Sequence, residues 1–395
     1  MSTGNKFVNN PSKLLEEDRF QELDELAQNE FRSRSKEYND NHEIPVKNLD
    51  ELGERGWLKA AVSEENGGWG SNTDLGDPAE YLQAIRTVAR GCSSTAHCLQ
   101  LHYHIAWFID AIGDDDLIER YLEPMLDGTY YGTFVAVEPN MTNQYELDTT
   151  ATPVDGGYEM SGTKLYATNG SIADFHLVFA SMEGMEGRDS VTVFVVEDDW
   201  DGVEVDTSWW QPFGMRAAVS PRIELNDVFI PEENMLGEPG QYASEHWQAK
   251  YHTAFCANYL GSMEGVFDFF LEYMHDRGKA DYESVQLRTG EVHFEMKAAE
   301  AFFHDAIRKW QDPSISQDDA EAVAMKAKWF NAKTAMDVGL QIAETAGSTA
   351  QFEQFPIGRY LRDMHTHTQH SGHDMTATQI GRSQFGRDFD TTREV

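Results

Sequence analysis

Ser161-Gly-Thr-Lys-Leu-Tyr-Ala-Thr-Asn-Gly-Ser-Ile-Ala-Asp174, running on into Phe175–Ala180, is the stretch on which the fold turns. Just upstream, Asp155-Gly156-Gly157 is a turn signal between two segments of alternating polar and apolar residues, the pattern of a hairpin. Downstream, His176–Ala180 and Val191–Val196 are short runs rich in β-branched or aromatic side chains. Val203–Asp206, Arg222–Leu225 and Val228–Ile230 complete the series before Pro231 ends it. Together they predict a β domain of about 100 residues in the middle of the chain.

On both sides the period changes. Leu14, Leu15, Phe20, Leu23, Leu26 and Phe31 recur at helical spacing, and Gly67-Gly68-Trp69-Gly70-Ser71 breaks that zone as a loop. Ala79–Val88 reads as a helix, and Ser94–Ile112 as a buried one, free of Pro and too long for a strand. From Tyr242 onward the helical period returns in Phe255–Met274, Val285–Trp310 and Asp318–Ala346, with Pro313 and Pro356 at the connections. The expected class is α+β, with a helical domain over 1–130, a β domain over 131–238 and a helical bundle over 239–395.

The 395 residues carry 68 acidic and 31 basic side chains, a net charge of −37. Such a surface repels phosphate backbones and anionic lipids, which argues against nucleic-acid and membrane-surface binding. Nine Trp, 22 Phe and 15 Tyr supply a core, so the charge reads as a salt-adapted surface, that of a halophilic and specifically haloarchaeal protein. Three cysteines without a CxxC pair suit a reducing compartment. Met1–Pro11 has no signal-peptide apolar run, and no stretch approaches the ~18 apolar residues of a membrane span, so a cytoplasmic location is expected. Neither GxGxxG nor GxxxxGK[ST] occurs.

His365, His367, His370 and His373 crowd the C-terminal end. Their spacing lacks a metal-binding pattern such as HExxH, so no metal is expected; packing, surface and proton-transfer roles remain. His97, His102 and His104 lie among apolar neighbours on a helix and read as core or pocket residues. Ser371 lacks the GxSxG context of a nucleophile, Trp209, Trp210 and Phe213 read as packing residues, and Asp114-Asp115-Asp116 as solvated surface.

Three ordered motifs resemble the acyl-CoA dehydrogenase superfamily. Ser161–Asp174 is similar to its G-x-K-x-(W/F/Y)-I-(T/S)-N-(A/G)-x-x-A-D strand. Phe213-Gly-Met-Arg216 with Leu225-Asn-Asp-Val-Phe-Ile-Pro-Glu-Glu-Asn-Met-Leu-Gly237 resembles its G-(M/I)-R…D-V-x-V-P-x-x-N-x-L-G segment. Phe355-Pro-Ile-Gly-Arg-Tyr-Leu-Arg-Asp363 resembles F-P-x-x-R-Y-x-R-D. The resemblance covers essentially the whole chain. It implies the family fold: an N-terminal α-helical domain, a middle β-barrel or sandwich, and a C-terminal four-helix bundle, with noncovalent FAD in a homodimer or homotetramer. It further implies that Phe134, Ala136, Val137, Tyr166 and Thr168 line the flavin ring. Arg277, Glu344, Gly347 and Ser348 correspond to segments that approach the flavin nucleotide.

The departures bear on chemistry. Val137 stands where the family's T-E-P-x-A-G-S-D loop has its flavin-facing threonine, and the Gly-Ser-Asp end is absent. Glu344 replaces the glutamine of Q-x-x-G-G, and the R-x-x-F-G region is altered around Arg277-Gly-Lys-Ala280. Where dehydrogenases carry a catalytic glutamate, the chain reads His370-Ser-Gly-His373, and the alternative position falls near Tyr251. His370, His373 and Asp374 are the candidate replacements. Arg362-Asp-Met-His-Thr-His-Thr-Gln-His370 and Gln286-Leu-Arg-Thr-Gly-Glu291 also look like segments of the superfamily's flavin-dependent monooxygenases.

The leading expectation is α,β-dehydrogenation of an acyl-CoA or similar acyl substrate, with hydride transfer to flavin N5 and an electron-transfer flavoprotein as partner. The alternatives are a reduced-flavin, O2-dependent monooxygenase served by a flavin reductase, and a catalytically inactive binding or structural subunit.

Overall fold

The computed structural model describes residues 8–370 and 372–393, so Ser371 and the first seven residues lie outside it. Helices fill the chain to Leu126 and again from Gln241. Between them run eight strands: β1 (Gly132–Val135), β2 (Thr150–Val154), β3 (Gly157–Lys164), β4 (Phe175–Met182), β5 (Val191–Glu197), β6 (Val203–Asp206), β7 (Arg222–Pro231) and β8 (Met235–Leu236).

The Asp155-Gly156 signal is a tight hairpin: Val154 pairs with Gly157, and Gly156 turns the chain at φ +79°. The strand order is β6-β7-β3-β2-β4-β5-β8, with β1 parallel to β4. Val135, Ala151, Met160, Val178, Phe194, Ile223 and Ile230, from β1 to β5 and β7, meet in one core. Strands from both halves of the sheet therefore wrap a common interior.

β4 and β5 are buried on both faces, which explains why apolar residues occupy most positions of each. Val178, Ala180, Phe194 and Val196 face the β interior, whereas Phe175, Leu177, Phe179, Val191, Val193 and Val195 join the large helical core. The two-residue period of a strand thus fastens the β domain to the helices.

Ser93–Ile112 is buried along most of its length, and His252–Asp276 packs on the preceding helix Ala79–Gly91. Helices His252–Asp276, Glu283–Gln311, Gln317–Ala346 and Ile357–Thr368 make the C-terminal bundle. The Phe213–Arg216 and Arg359–Asp363 motifs, far apart in sequence, meet. Gly214 N–H donates to Thr366 Oγ1 at 2.9 Å and Met215 N–H to Asp363 Oδ1 at 2.6 Å. A Cβ on Gly214 would lie 1.9 Å from the Arg362 carbonyl oxygen, so only glycine allows this approach.

Inside the sheet, Lys164 Nζ donates to Glu138 Oε1 at 2.6 Å, with both side chains buried. Burial pushes the Lys164 ammonium down to about 8 against the pull of Glu138. Burial alone would raise Glu138, but Lys164 and two backbone N–H donors hold its carboxyl below the usual range. Removing one partner strands a buried charge. Lys164→Met is expected to cost about 3–5 kcal/mol in urea unfolding, with most of the loss recovered in Lys164→Met/Glu138→Gln. A loss below about 1 kcal/mol would contradict this account of the pair.

Candidate active site

Where the β domain meets the helices there is a cavity of about 410 Å³, within the usual range of ligand sites. Phe134, Ala136 and Val137 enter it from the end of β1, and Leu165, Tyr166 and Thr168 from the turn after β3. Leu101 and His104 come from helix Ser93–Ile112, Tyr251 and Phe255 from the start of His252–Asp276, and His370 from just past Ile357–Thr368.

The turn after β3 is held in an unusual shape. Tyr166 and Asn169 have φ of +61° and +72°, a region disfavoured for residues other than glycine. Leu165 N–H donates to Val137 C=O at 2.8 Å, Ala167 N–H to Pro221 C=O at 3.1 Å, and Asn169 Nδ2 to Cys98 C=O at 3.1 Å. These bonds pin the segment while the Tyr166 ring stays 53% exposed, edge-on to Trp209 at 5.1 Å between centroids.

Behind this wall lies a cluster of imidazoles around Phe255. The His370 ring centroid is 4.2 Å from Phe255, His367 5.8 Å, and His97 and His104 6.4 Å each. His97 sits 4.7 Å from His367, and Lys328 Nζ lies 4.3 Å over the Phe255 ring. Burial, with a smaller push from His370, drives His97 down to about 3. Burial and the neighbouring His97, His370 and Lys328 hold His104 and His367 well below the ordinary imidazole range. At neutral pH these three are uncharged; His370 is the exposed member of the cluster.

No uncommitted carboxylate faces the cavity among the described residues. Glu138 is taken up by Lys164 and by the Asp148 and Thr149 N–H groups, at 2.6, 2.6 and 3.0 Å. Tyr251, at the alternative position for a base, stacks on His104 at 4.0 Å. Burial raises its phenol far above the usual range, so it stays protonated.

Of the candidate flavin-lining and catalytic residues named from sequence, Phe134, Ala136, Val137, Tyr166, Thr168 and His370 share one cavity, together with His104 and Tyr251. His373 and Asp374 do not line it. They begin the next helix, His373 half-buried and held down by burial and by Lys333 and Lys328, Asp374 exposed. Arg277 caps the C-terminal end of His252–Asp276, with its guanidinium on Tyr273, while Glu344, Gly347 and Ser348 end the helix Gln317–Ala346. These four are also outside the cavity lining. His365 packs on Phe213, 5.8 Å between centroids. Phe255 and Lys328 were not anticipated; an apolar helical period gives no sign that one of its rings is a cavity wall.

The lining is mostly apolar with a few polar groups, among them His104 Nε2, which is buried without a hydrogen-bond partner. Such a surface fits a planar aromatic ring system with polar edges, as in a flavin. Phe134, Val137 and Tyr166 would supply its apolar faces, with Thr168 and His104 at its polar rim.

Three family models match in order: the acyl-CoA dehydrogenase N-terminal domain over residues 16–129, the middle domain over 135–228 and the C-terminal domain over 253–375. A short-chain-specific acyl-CoA dehydrogenase of Clostridium acetobutylicum is 25% identical over 349 residues, covering 86% of this chain and 89% of the relative. The structure of butyryl-CoA dehydrogenase from Megasphaera elsdenii aligns with a TM-score of 0.84 at 24% identity, over 93% and 98% of the two chains. FMN-bound TdsC from Paenibacillus sp. A11-2, a dibenzothiophene monooxygenase, aligns with a TM-score of 0.83 at 22% identity, over 95% and 99%.

Proposed function

The chain belongs to the acyl-CoA dehydrogenase superfamily, and on that premise we propose that it is an FAD-dependent oxidoreductase that desaturates the Cα–Cβ bond of an acyl-CoA or similar activated acyl substrate. A bound flavin supplies the acceptor for the hydride that leaves Cβ. His370 takes the Cα proton, and the electron pair of that C–H bond becomes the new double bond. The observation that carries this reading is the position of His370, exposed on the cavity wall where the carboxylate is committed to Lys164. A neutral imidazole has a ring nitrogen that can accept a proton, which suits a general base there. Phe134, Val137 and Tyr166 hold the ring system and shield it from water. Arg277, Glu344, Gly347 and Ser348 meet the flavin nucleotide of a neighbouring subunit in a homodimer or homotetramer.

An electron-transfer flavoprotein is the natural electron acceptor for this reaction. The acidic surface suits a salt-rich, haloarchaeal cytoplasm, and among the described residues no helix is long and apolar enough to cross a membrane.

A second reading, oxygen-dependent monooxygenation by reduced flavin supplied by a reductase, is favoured by one observation. Among the described residues, two imidazoles, His104 and His370, and no uncommitted carboxylate line the cavity. Anaerobic addition of an acyl-CoA panel to flavin-loaded protein in high salt separates the two. Bleaching of the oxidised band supports dehydrogenation. A flat spectrum, followed by a transient C4a-adduct band when oxygen meets the reduced protein, replaces it with the second reading.

A further inference from the structure

Thr168 lines the cavity and is buried beside two further polar side chains, His97 and Ser220. Its Oγ1 lies 3.3 Å from His97 Nε2 and 2.9 Å from Ser220 Oγ, and Ser220 Oγ lies 2.7 Å from the Ala218 carbonyl oxygen. These three contacts share a small number of protons, which can be assigned by elimination.

A carbonyl only accepts, so the short bond to Ala218 takes the single Ser220 hydroxyl proton. The Ser220–Thr168 contact is then donated by Thr168, which uses up its own proton. The His97–Thr168 contact must therefore be donated by the imidazole, from Nε2–H. His97 is neutral in its buried place, so its Nδ1 is left as a bare lone pair, and Nδ1 is indeed buried without a partner. The reverse order would put the orphaned group at an Nδ1–H donor and release the Ala218 carbonyl. Buried orphan donors are rarer than under-satisfied acceptors, so the first order is preferred.

We propose that Ser220 and His97 are positioning residues that fix the direction of this hydrogen-bond chain, so that Thr168 offers the cavity an acceptor lone pair and no proton. The consequence rests on the flavin reading given above. The redox-active edge of an oxidised flavin presents an acceptor nitrogen, and that of a reduced flavin an N–H donor. With that edge seated against Thr168, an acceptor locked there favours the reduced ring. The chain holds the cofactor towards its electron-rich state, a bias that both chemistries of the preceding section would feel.

Two measurements test this. In flavin-free protein, 15N NMR of the His97 imidazole should find the neutral Nε2–H tautomer at pH 7, and an Nδ1–H tautomer would overturn the proposal. In FAD-loaded protein, Ser220→Ala frees the Thr168 proton to be donated into the cavity. The reduced-to-oxidised ratio at fixed potential should fall about tenfold, a midpoint lower by about 30 mV, and Ser220→Thr should restore it. An unchanged midpoint in Ser220→Ala would overturn the proposal. The first measurement needs no cofactor and uses the natural chain, so a failure to bind flavin would count against the function reading without deciding the direction of the chain.

Discussion

His370→Ala is expected to lower turnover by about 10²–10⁴-fold, the usual contribution of a positioned general base, while flavin stays bound. The loss should fall on kcat more than on KM, because the proton transfer is made only in the transition state. Flavin retention follows from geometry, since His370 reaches the wall from beyond Ile357–Thr368, whereas Phe134, Val137 and Tyr166 come from the β domain. His365→Ala, inside the helix that precedes His370 and packed on Phe213, should leave turnover unchanged. Stopped-flow reduction of the flavin measures the step directly. Equal rates for His370→Ala and the natural chain would remove His370 from the chemistry.

The second large effect is on stability. His97 and His102 are pushed down to about 3 and about 4 by burial, and His104 and His367 lie well below their ordinary range for the same leading reason. In the unfolded chain the same imidazoles titrate near 6.5. Their folded values are depressed, so the stability they confer is complete above pH 6.5 and is lost as pH falls towards the folded values. At pH 5.5 each costs about 1.4 kcal/mol relative to neutral pH, and the four together on the order of 5 kcal/mol, a large share of a typical domain's stability. An ordinary carboxylate titrates at about 4, below this window, so the charge repulsion of the acidic surface changes little. Urea midpoints at constant salt should fall steeply from pH 7.5 to 5.5. Midpoints that hold level would mean that these rings are not buried in the neutral form.

Much of the fold is legible locally because its signals are local. A hairpin turn needs Asp155-Gly156, a buried helix needs an uninterrupted apolar length, and both are written in neighbouring residues. What joins the elements is not local. β1 pairs with β4, some 40 residues on, through Gly132↔Phe175 to Val135↔Val178, and no pattern in either strand specifies the partner. The docking of Gly214 on the Arg362 carbonyl is likewise invisible in two separate motifs, although the glycine marks a close approach.

The candidate site divides the same way. His97 and His104 stand seven residues apart, two helical turns, with Leu101 between them, so two imidazoles on one face of an apolar helix could be read directly. Thr168, Phe255 and His370 share a wall only because the β domain, the bundle and the C-terminal helix converge there. Arg277, Glu344, Gly347 and Ser348 lie outside that wall in the single chain, and their proposed role depends on a second subunit.

On the proposed function, the cavity bounded by Val137, Tyr166, Thr168 and His370 is the flavin site. The most direct measurement is titration of FAD into flavin-free protein, followed by flavin fluorescence, for the natural chain, Val137→Trp and Val154→Trp. Val137 lines the cavity, whereas Val154 is an exposed residue at the hairpin turn. An indole at 137 fills the space of the ring system, so binding should be lost there and retained at 154. FAD binding that is equally tight in all three would place the flavin elsewhere and contradict the account.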